Sequence, residues 1–94
     1  MAAYLQITLQ ITASNRPAAA GVYQKYKTAF LDTIAGAQSK ELLVREEDVQ
    51  VLHGFDSVHN AQLYLTSTLF TADVVGALGP LLAAPPEIRI YETA

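Results

Sequence analysis

Residues 4–17 read YLQITLQITASNRP, and this stretch contains the transition that decides the fold. Apolar and polar side chains alternate strictly over residues 4–13, which is typical of a β-strand whose two faces meet different surroundings. Ser14 and Asn15 then offer a helix N-cap, and Pro17 suits the first helical turn. The sequence therefore predicts a strand followed directly by a helix.

The rest of the chain shows the same two patterns, the two-residue period of a strand and the 3.6-residue period of a helix. Apolar residues recur at helical spacing over residues 17–35, and Gly36 follows as a left-handed stop. The remaining predicted elements are strands at 42–45 and 49–55 around an acidic tip at 46–48, helices from Ser57 and over 69–78, and a closing strand at 87–92. This βαββαβ order predicts one α+β ferredoxin-like domain over residues 1–94, with helices on one face of a four-stranded antiparallel sheet.

The phases of the strands predict what each sheet face carries. The face beneath the helices should hold Leu5, Ile7, Leu9, Ile11, Val49, Val51, His53, Phe55, Ile88 and Ile90. The opposite face should hold Gln6, Thr8, Gln10, Leu52, Arg89 and Tyr91. That second face mixes polar and apolar side chains, a composition that suits packing against another copy of the chain. We therefore expect a homodimer through the sheet face.

The composition narrows the expected partners. Hydrophobic residues make up 51% of the 94 residues and charged residues 16%, with a formal net charge of −3. A domain this small cannot bury so much apolar surface alone, which again favours self-association. The basic residues are scattered, so neither a nucleic acid nor a membrane is an expected partner. Since no cysteine, leader-like stretch or membrane-spanning run is visible, the expected location is cytoplasmic.

Two segments resemble a known superfamily. Residues 55–65, FDSVHNAQLYL, resemble the strand-to-helix stretch of the dimeric α/β-barrel superfamily, and residues 86–92, PEIRIYE, resemble its closing strand. The resemblance is to members of uncertain function that are like the antibiotic-biosynthesis monooxygenases or the stress-responsive A/B-barrel proteins. It implies two sheets that face each other to form one barrel, and a small-molecule cleft in each subunit.

The same resemblance bears on catalytic residues. Tyr64 matches a helix tyrosine of the stress-responsive and olivetolic-acid-cyclase-like members, which makes it a candidate catalytic residue. Ser67 and Phe70 stand where those members carry histidines, so half of their acid/base pair is absent. The quinone-forming monooxygenases and the haem degraders of this superfamily resemble one another in using a tryptophan. This chain contains no tryptophan.

His53 is the main catalytic candidate that the residues themselves indicate. Its strand phase points it toward the helices, and the reference pKa of histidine suits a general base near neutral pH. Aromatic residues on the helical apolar arcs are the candidate substrate-binding residues: Tyr23, Tyr26, Phe30 and Phe70. The alternative is that His53 is a core histidine with a structural hydrogen bond and that the aromatic rings simply pack.

No cofactor and no metal are expected. His59 should face solvent, away from His53, and Arg45 and Arg89 should form surface ion pairs with neighbouring acids. The sequence also lacks the glycine-rich loops and nucleophile motifs that bind phosphates or perform acyl transfer. We therefore predict a small-molecule cleft protein, acting without cofactor as a monooxygenase, cyclase or isomerase on a polyketide-like or aromatic compound. The alternative is a non-enzymatic binding or structural dimeric module.

Overall fold

The computed structural model describes residues 2–94 and has the predicted βαββαβ order. The strands are β1 (Ala3–Leu9), β2 (Ala37–Val44), β3 (Val49–Phe55) and β4 (Glu87–Glu92). They form one antiparallel sheet in the order β2-β3-β1-β4. The helices are α1 (Arg16–Thr33), α2 (Val58–Tyr64) and α3 (Val75–Leu78), and a π-helical turn (Leu69–Val74) leads directly into α3. The ferredoxin-like fold prediction is confirmed.

Strand β2 is longer than the sequence predicts. It begins at Ala37 rather than Leu42, because β3 supplies backbone partners for the polar residues in between. In this pairing Lys40 lies opposite His53. Cross-strand partners point to the same face, so the pairing sends Lys40 beneath the helices.

The two predicted helix caps have different outcomes. The Ser57 hydroxyl accepts a hydrogen bond from the Asn60 amide at 3.1 Å, as predicted for the start of α2. Asn15 occupies the N-cap position of α1 and Pro17 lies in its first turn, as predicted, but the Asn15 side chain makes no capping hydrogen bond. A single 3-10 turn precedes α1 instead, because the Asn15 amide donates to the carbonyl of Thr12 at 3.0 Å.

The end of α1 depends on a glycine. Gly36 has a φ of 76°, the left-handed backbone that was predicted for this stop. A side chain there would also collide with the carboxylate of Asp56 and the amide of Asn60. Gly36 therefore lets the chain turn sharply from α1 into β2.

The covered face of the sheet forms the hydrophobic core with α1 and α2. Its buried residues include Leu5, Ile7, Leu9, Ile11, Val49, Val51, His53 and Phe55. Ile88 and Ile90 also lie on this face as predicted, since they pair with Ile7 and Leu5, but Ile88 is 42% exposed and Ile90 is only half-buried. Both lie on β4, the edge strand that pairs only with β1.

The other face of the sheet, called here the open face, has no helix on it. Register places these residues on it: Tyr4, Gln6, Thr8, Ser39, Glu41, Leu43, Gln50, Leu52, Gly54, Glu87, Arg89 and Tyr91. Tyr4, Leu43 and Tyr91 are 40%, 42% and 53% exposed. Apolar and polar groups are thus mixed on the open face, as the sequence predicts.

The second helical region is interrupted. The stretch predicted as one helix over residues 69–78 is a π-helical turn followed by the single α-turn of α3. The turn is wider than an α-turn because the Val75 amide donates to the carbonyl of Phe70, five residues earlier. Val74 is buried and Phe70 is half-buried, so this segment covers the sheet next to α1. Over residues 2–94, no helix is both long enough and apolar enough to span a bilayer.

Candidate functional site

A cavity of about 120 Å³ lies between the covered face of the sheet, α1 and the π-helical turn. Its walls are almost entirely carbon. The lining residues are Ile7, Leu9, Ala19, Val22, Tyr23, Tyr26, Lys40, Leu42, Val49, Val51, His53, Phe70, Val74, Val75, Leu78, Gly79, Leu82 and Pro86. The sheet forms the floor, and the helical segments form the walls. The cavity brings together four residues that the sequence analysis proposed: His53, Tyr23, Tyr26 and Phe70.

His53 lies on β3 at the floor and is only 2% exposed. Its Nδ1 is 3.1 Å from the carbonyl oxygen of Leu5. Since a carbonyl only accepts, Nδ1 carries the hydrogen and donates, and this leaves the lone pair on Nε2. Burial, followed by the nearby charge of Lys40, lowers the pKa of His53 to about 3. The imidazole is therefore neutral at physiological pH.

Lys40 is the site residue that the sequence analysis missed. It lies on β2 beside His53 and is 5% exposed. Its Nζ is 5.2 Å from the ring centroid of Phe30 and 5.8 Å from that of Tyr23. Burial, followed by the charge of Lys27, lowers the pKa of Lys40 to about 8. The signal in the sequence was that Lys40 has the same period-2 phase as Leu42, which also lines the cavity. This phase is recognisable only when β2 is extended back to include Lys40.

The two tyrosines of α1 differ in how free their hydroxyl groups are. The Tyr23 hydroxyl donates to the backbone carbonyl of Lys40 at 2.7 Å and is buried, so this donor is already used. The Tyr23 ring is what faces the cavity. Tyr26 is half-buried and lines the cavity one turn further along α1. Of the two phenols, Tyr26 is therefore the one placed to meet a ligand.

Phe30 and Tyr64 do not line the cavity. Phe30 is fully buried behind His53, with their ring centroids 5.2 Å apart. The Tyr64 ring is 1% exposed and its centroid is 5.5 Å from that of His53. The buried Tyr64 hydroxyl has no hydrogen-bond partner among residues 2–94, and burial raises the pKa of this phenol far above its ordinary value. Both rings pack against the imidazole without lining the cavity.

The other charged candidates lie elsewhere. His59 is exposed, as predicted. Arg45 pairs with Glu47 at 3.3 Å and Arg89 pairs with Glu87 at 3.2 Å, which confirms two of the predicted ion pairs. Arg45 also forms a two-pronged contact with the Asp48 carboxylate, at 2.7 and 2.8 Å. Within the described part of the chain, no group of three or more histidine and acidic side chains is arranged to hold a metal ion.

Comparison with known proteins identifies the fold. Neither a protein-family model nor a curated protein matches the sequence. Solved structures do match: a putative antibiotic biosynthesis monooxygenase from Caulobacter crescentus is 17% identical with a TM-score of 0.84, over 99% of this chain and 90% of that one. The chain has the fold of this protein. A second protein described as a putative antibiotic biosynthesis monooxygenase, from Bordetella bronchiseptica, is 11% identical with a TM-score of 0.86, over 99% of this chain and 97% of that one.

A conserved protein from Methanosarcina mazei Go1 is also similar, at 14% identity and a TM-score of 0.85, over 100% of this chain and 94% of that one. The resemblance to antibiotic-biosynthesis-monooxygenase-like proteins is thereby confirmed at the level of the fold. This fold serves many unrelated functions, so it does not by itself select a reaction.

Proposed function

We propose that this chain is a small-molecule cleft protein of the dimeric α/β-barrel type, with one apolar cavity in each subunit. The observation that carries the proposal is the cavity itself, whose walls are apolar around His53 and Lys40. An engineered apolar cavity of about 150 Å³ is known to bind benzene, so a space of this size suits a single ring or a short hydrocarbon body. The cytoplasm remains the expected location.

The open face supports the homodimer. Its middle row runs Glu41, Leu52, Gln6, Arg89 from β2 to β4, with an acid at one edge and a base at the other. A two-fold axis parallel to the strands would place each Glu41 opposite Arg89 of the other copy. Leu52 would then lie near the centre of the contact, away from water.

We expect Leu52→Arg to dissociate the dimer, because it buries an unpaired charge at the centre of the contact. Sedimentation at micromolar concentration should show a dimer for the wild type and a monomer for Leu52→Arg. The matched control is Leu63→Arg, since Leu63 is 49% exposed on α2, away from the open face. This control should remain dimeric. A wild-type protein that sediments as a monomer would contradict the proposal.

We further propose catalysis without a cofactor, on a polyketide-like or aromatic compound that can enolise. His53 would be the base: a substrate C–H bond breaks, the proton moves to Nε2, and the electron pair moves to the substrate oxygen. The low pKa of His53 makes it a weak base in the empty site, and a developing enolate beside Lys40 would compensate the new charge. Tyr64 would act through His53, because its ring packs against the imidazole.

The similar structures are described as putative monooxygenases, which supports a monooxygenase reaction. The resemblance of the sequence to the dimeric α/β-barrel superfamily supports a cyclase or an isomerase reaction as well. Proton abstraction beside a carbonyl is the step that these reactions on an enolisable compound would share. Tyr23, Tyr26 and Phe70 would bind the ring of the substrate. Phe30 would contribute by fixing the position of His53 rather than by touching the substrate.

Two probes test binding and chemistry separately. Indole should bind and shift the amide resonances of Val22, Phe70 and Val74 in NMR spectra of the protein. Exchange of the acidic protons of benzoylacetone with deuterated solvent should be faster with the wild type than with His53→Gln. Failure of indole to perturb any cavity residue would sink the cleft proposal. Equal exchange rates for the two proteins would remove His53 as the base.

The alternative, a non-enzymatic binding or structural module, is favoured by one observation. Two hydroxyl groups of the predicted site are not available to a ligand: the Tyr23 hydroxyl donates to a backbone carbonyl, and the Tyr64 hydroxyl is enclosed. Binding of indole without any His53-dependent exchange would identify a binding module.

A further inference from the structure

The ammonium group of Lys40 has no counter-charge. In the described residues, no carboxylate lies within 4.0 Å of its Nζ and no acceptor within hydrogen-bond distance. Its Nζ lies over the faces of two aromatic rings, those of Phe30 and Tyr23. The residue is nevertheless only 5% exposed to solvent. A buried ammonium without a partner is rare because leaving water destabilises it.

The charged and titratable groups around Lys40 do not neutralise it. Lys27, on α1, has the same sign and further lowers the Lys40 pKa. His53, on the neighbouring strand, is neutral and carries its lone pair on Nε2. The Tyr23 hydroxyl, also on α1, already donates its hydrogen bond to a backbone carbonyl. The structure therefore leaves one positive charge at an otherwise apolar cavity.

We propose that Lys40 makes this cavity selective for a small apolar monoanion, in which an oxyanion is attached to a ring or a short hydrocarbon body. This inference rests on the proposed cleft function and specifies its ligand. The oxyanion would pair with Nζ, and the hydrocarbon body would contact the aliphatic walls and the rings of Tyr23, Tyr26 and Phe70. A single hydrogen-bonded charge pair in such surroundings favours the anion over its neutral isostere by about 10- to 100-fold.

The same features exclude other ligand classes. A phosphate or dicarboxylate would bring two charges to a cavity with one cation and no backbone amide nest, and the second charge would stay unpaired. A cationic ligand would repel Lys40 and Lys27. A neutral hydrocarbon would fit the apolar walls but would leave the Lys40 ammonium without a counter-charge.

The pH dependence of binding gives a second signature. Lys40 with a pKa of about 8 is protonated below that pH, so anion affinity should be constant there and fall about tenfold per unit above it. Binding an anion raises the Lys40 pKa, so near pH 8 the complex should take up a proton from solution. Calorimetry in buffers of different ionisation enthalpy measures that proton directly.

The experiment compares benzoate with benzamide on the intact wild-type protein. Benzoate should bind about 10- to 100-fold more tightly at pH 7. 4-Nitrophenolate, compared with 4-nitroanisole at pH 8, tests an enolate-like oxyanion in place of a carboxylate. Lys40→Met should remove the preference for benzoate, and Lys25→Met, at an exposed lysine of α1, should retain it.

Each outcome has one meaning. Equal affinity for benzoate and benzamide, or an affinity for benzoate that does not fall above pH 8, overturns the inference and leaves the cleft proposal standing. If neither binds while indole does, the inference again fails alone. If indole does not bind either, the cleft proposal itself has failed. The wild-type comparison and the pH profile need no variant, so a Lys40→Met protein that misfolds does not affect the test.

Discussion

Acidification from pH 7 to pH 4 should destabilise the wild-type protein by about 3 kcal/mol more than a His53→Gln variant. The cause is the lowered pKa of His53, about 3 in the folded protein against 6.5 for an ordinary histidine. Below about pH 6.5 the unfolded chain binds a proton on His53, whereas the folded protein binds none until about pH 3. Stability is therefore lost as the pH falls through this window, and above pH 6.5 His53 contributes no pH dependence.

The measurement is the free energy of unfolding by denaturant at a series of pH values, with circular dichroism as the signal. Other carboxylates also titrate in this range, so the informative quantity is the difference between wild type and His53→Gln. The exposed His59 provides a matched control, because His59→Gln should follow the wild-type curve. Parallel curves for wild type and His53→Gln would contradict the burial of the His53 imidazole.

Lys40→Met should raise the free energy of unfolding at pH 7 by about 2 kcal/mol, against the usual expectation for a core substitution. The pKa of Lys40 is about 8 in the folded protein and 10.5 in an ordinary lysine, so the folded state holds this proton less tightly. The charge therefore destabilises the fold fully below pH 8. The destabilisation declines between pH 8 and pH 10.5 and is absent above that. The advantage of Lys40→Met should shrink over the same interval.

The control for this effect is Lys25→Met, since Lys25 is exposed on α1. Surface changes of this kind usually shift stability by less than about 0.5 kcal/mol. A Lys40→Met protein that is less stable than wild type at pH 7 would mean that the ammonium has a favourable partner after all. If Lys40→Met has a higher free energy of unfolding than the wild type and also loses the preference for benzoate, Lys40 lowers the stability of the fold while providing ligand recognition.

Much of the fold was predictable because the strands carry strong period-2 patterns. The alternation of Leu5, Ile7 and Leu9 sets the covered face, and the same phase on β3 correctly turns His53 inward. Gly36 was recognisable since few other residues tolerate a left-handed backbone. These features are local, and local pattern is what a single sequence displays.

The parts that sequence missed depend on partners distant along the chain. Lys40 lies in a polar stretch with little strand preference, and only hydrogen bonding to β3 makes it a strand residue. Helical periodicity placed Tyr64 and Phe30 on apolar arcs, but could not separate rings that line a cavity from rings packed behind it. Ile88 has the phase predicted for the covered face, yet it remains 42% exposed on the edge strand β4, because phase gives the face of a residue and not its degree of burial.

The π-helical turn at residues 69–74 supplies part of the apolar wall of the cavity, whereas His53 and Lys40 belong to the sheet. An α-helix advances about 100° per residue, so deleting one residue from this turn would restore ordinary winding and change the orientation of Phe70 relative to α3. The sheet carrying His53 and Lys40 would be untouched by such a change. A lineage could therefore exchange the apolar wall, and with it the shape of compound admitted, while inheriting the polar floor intact.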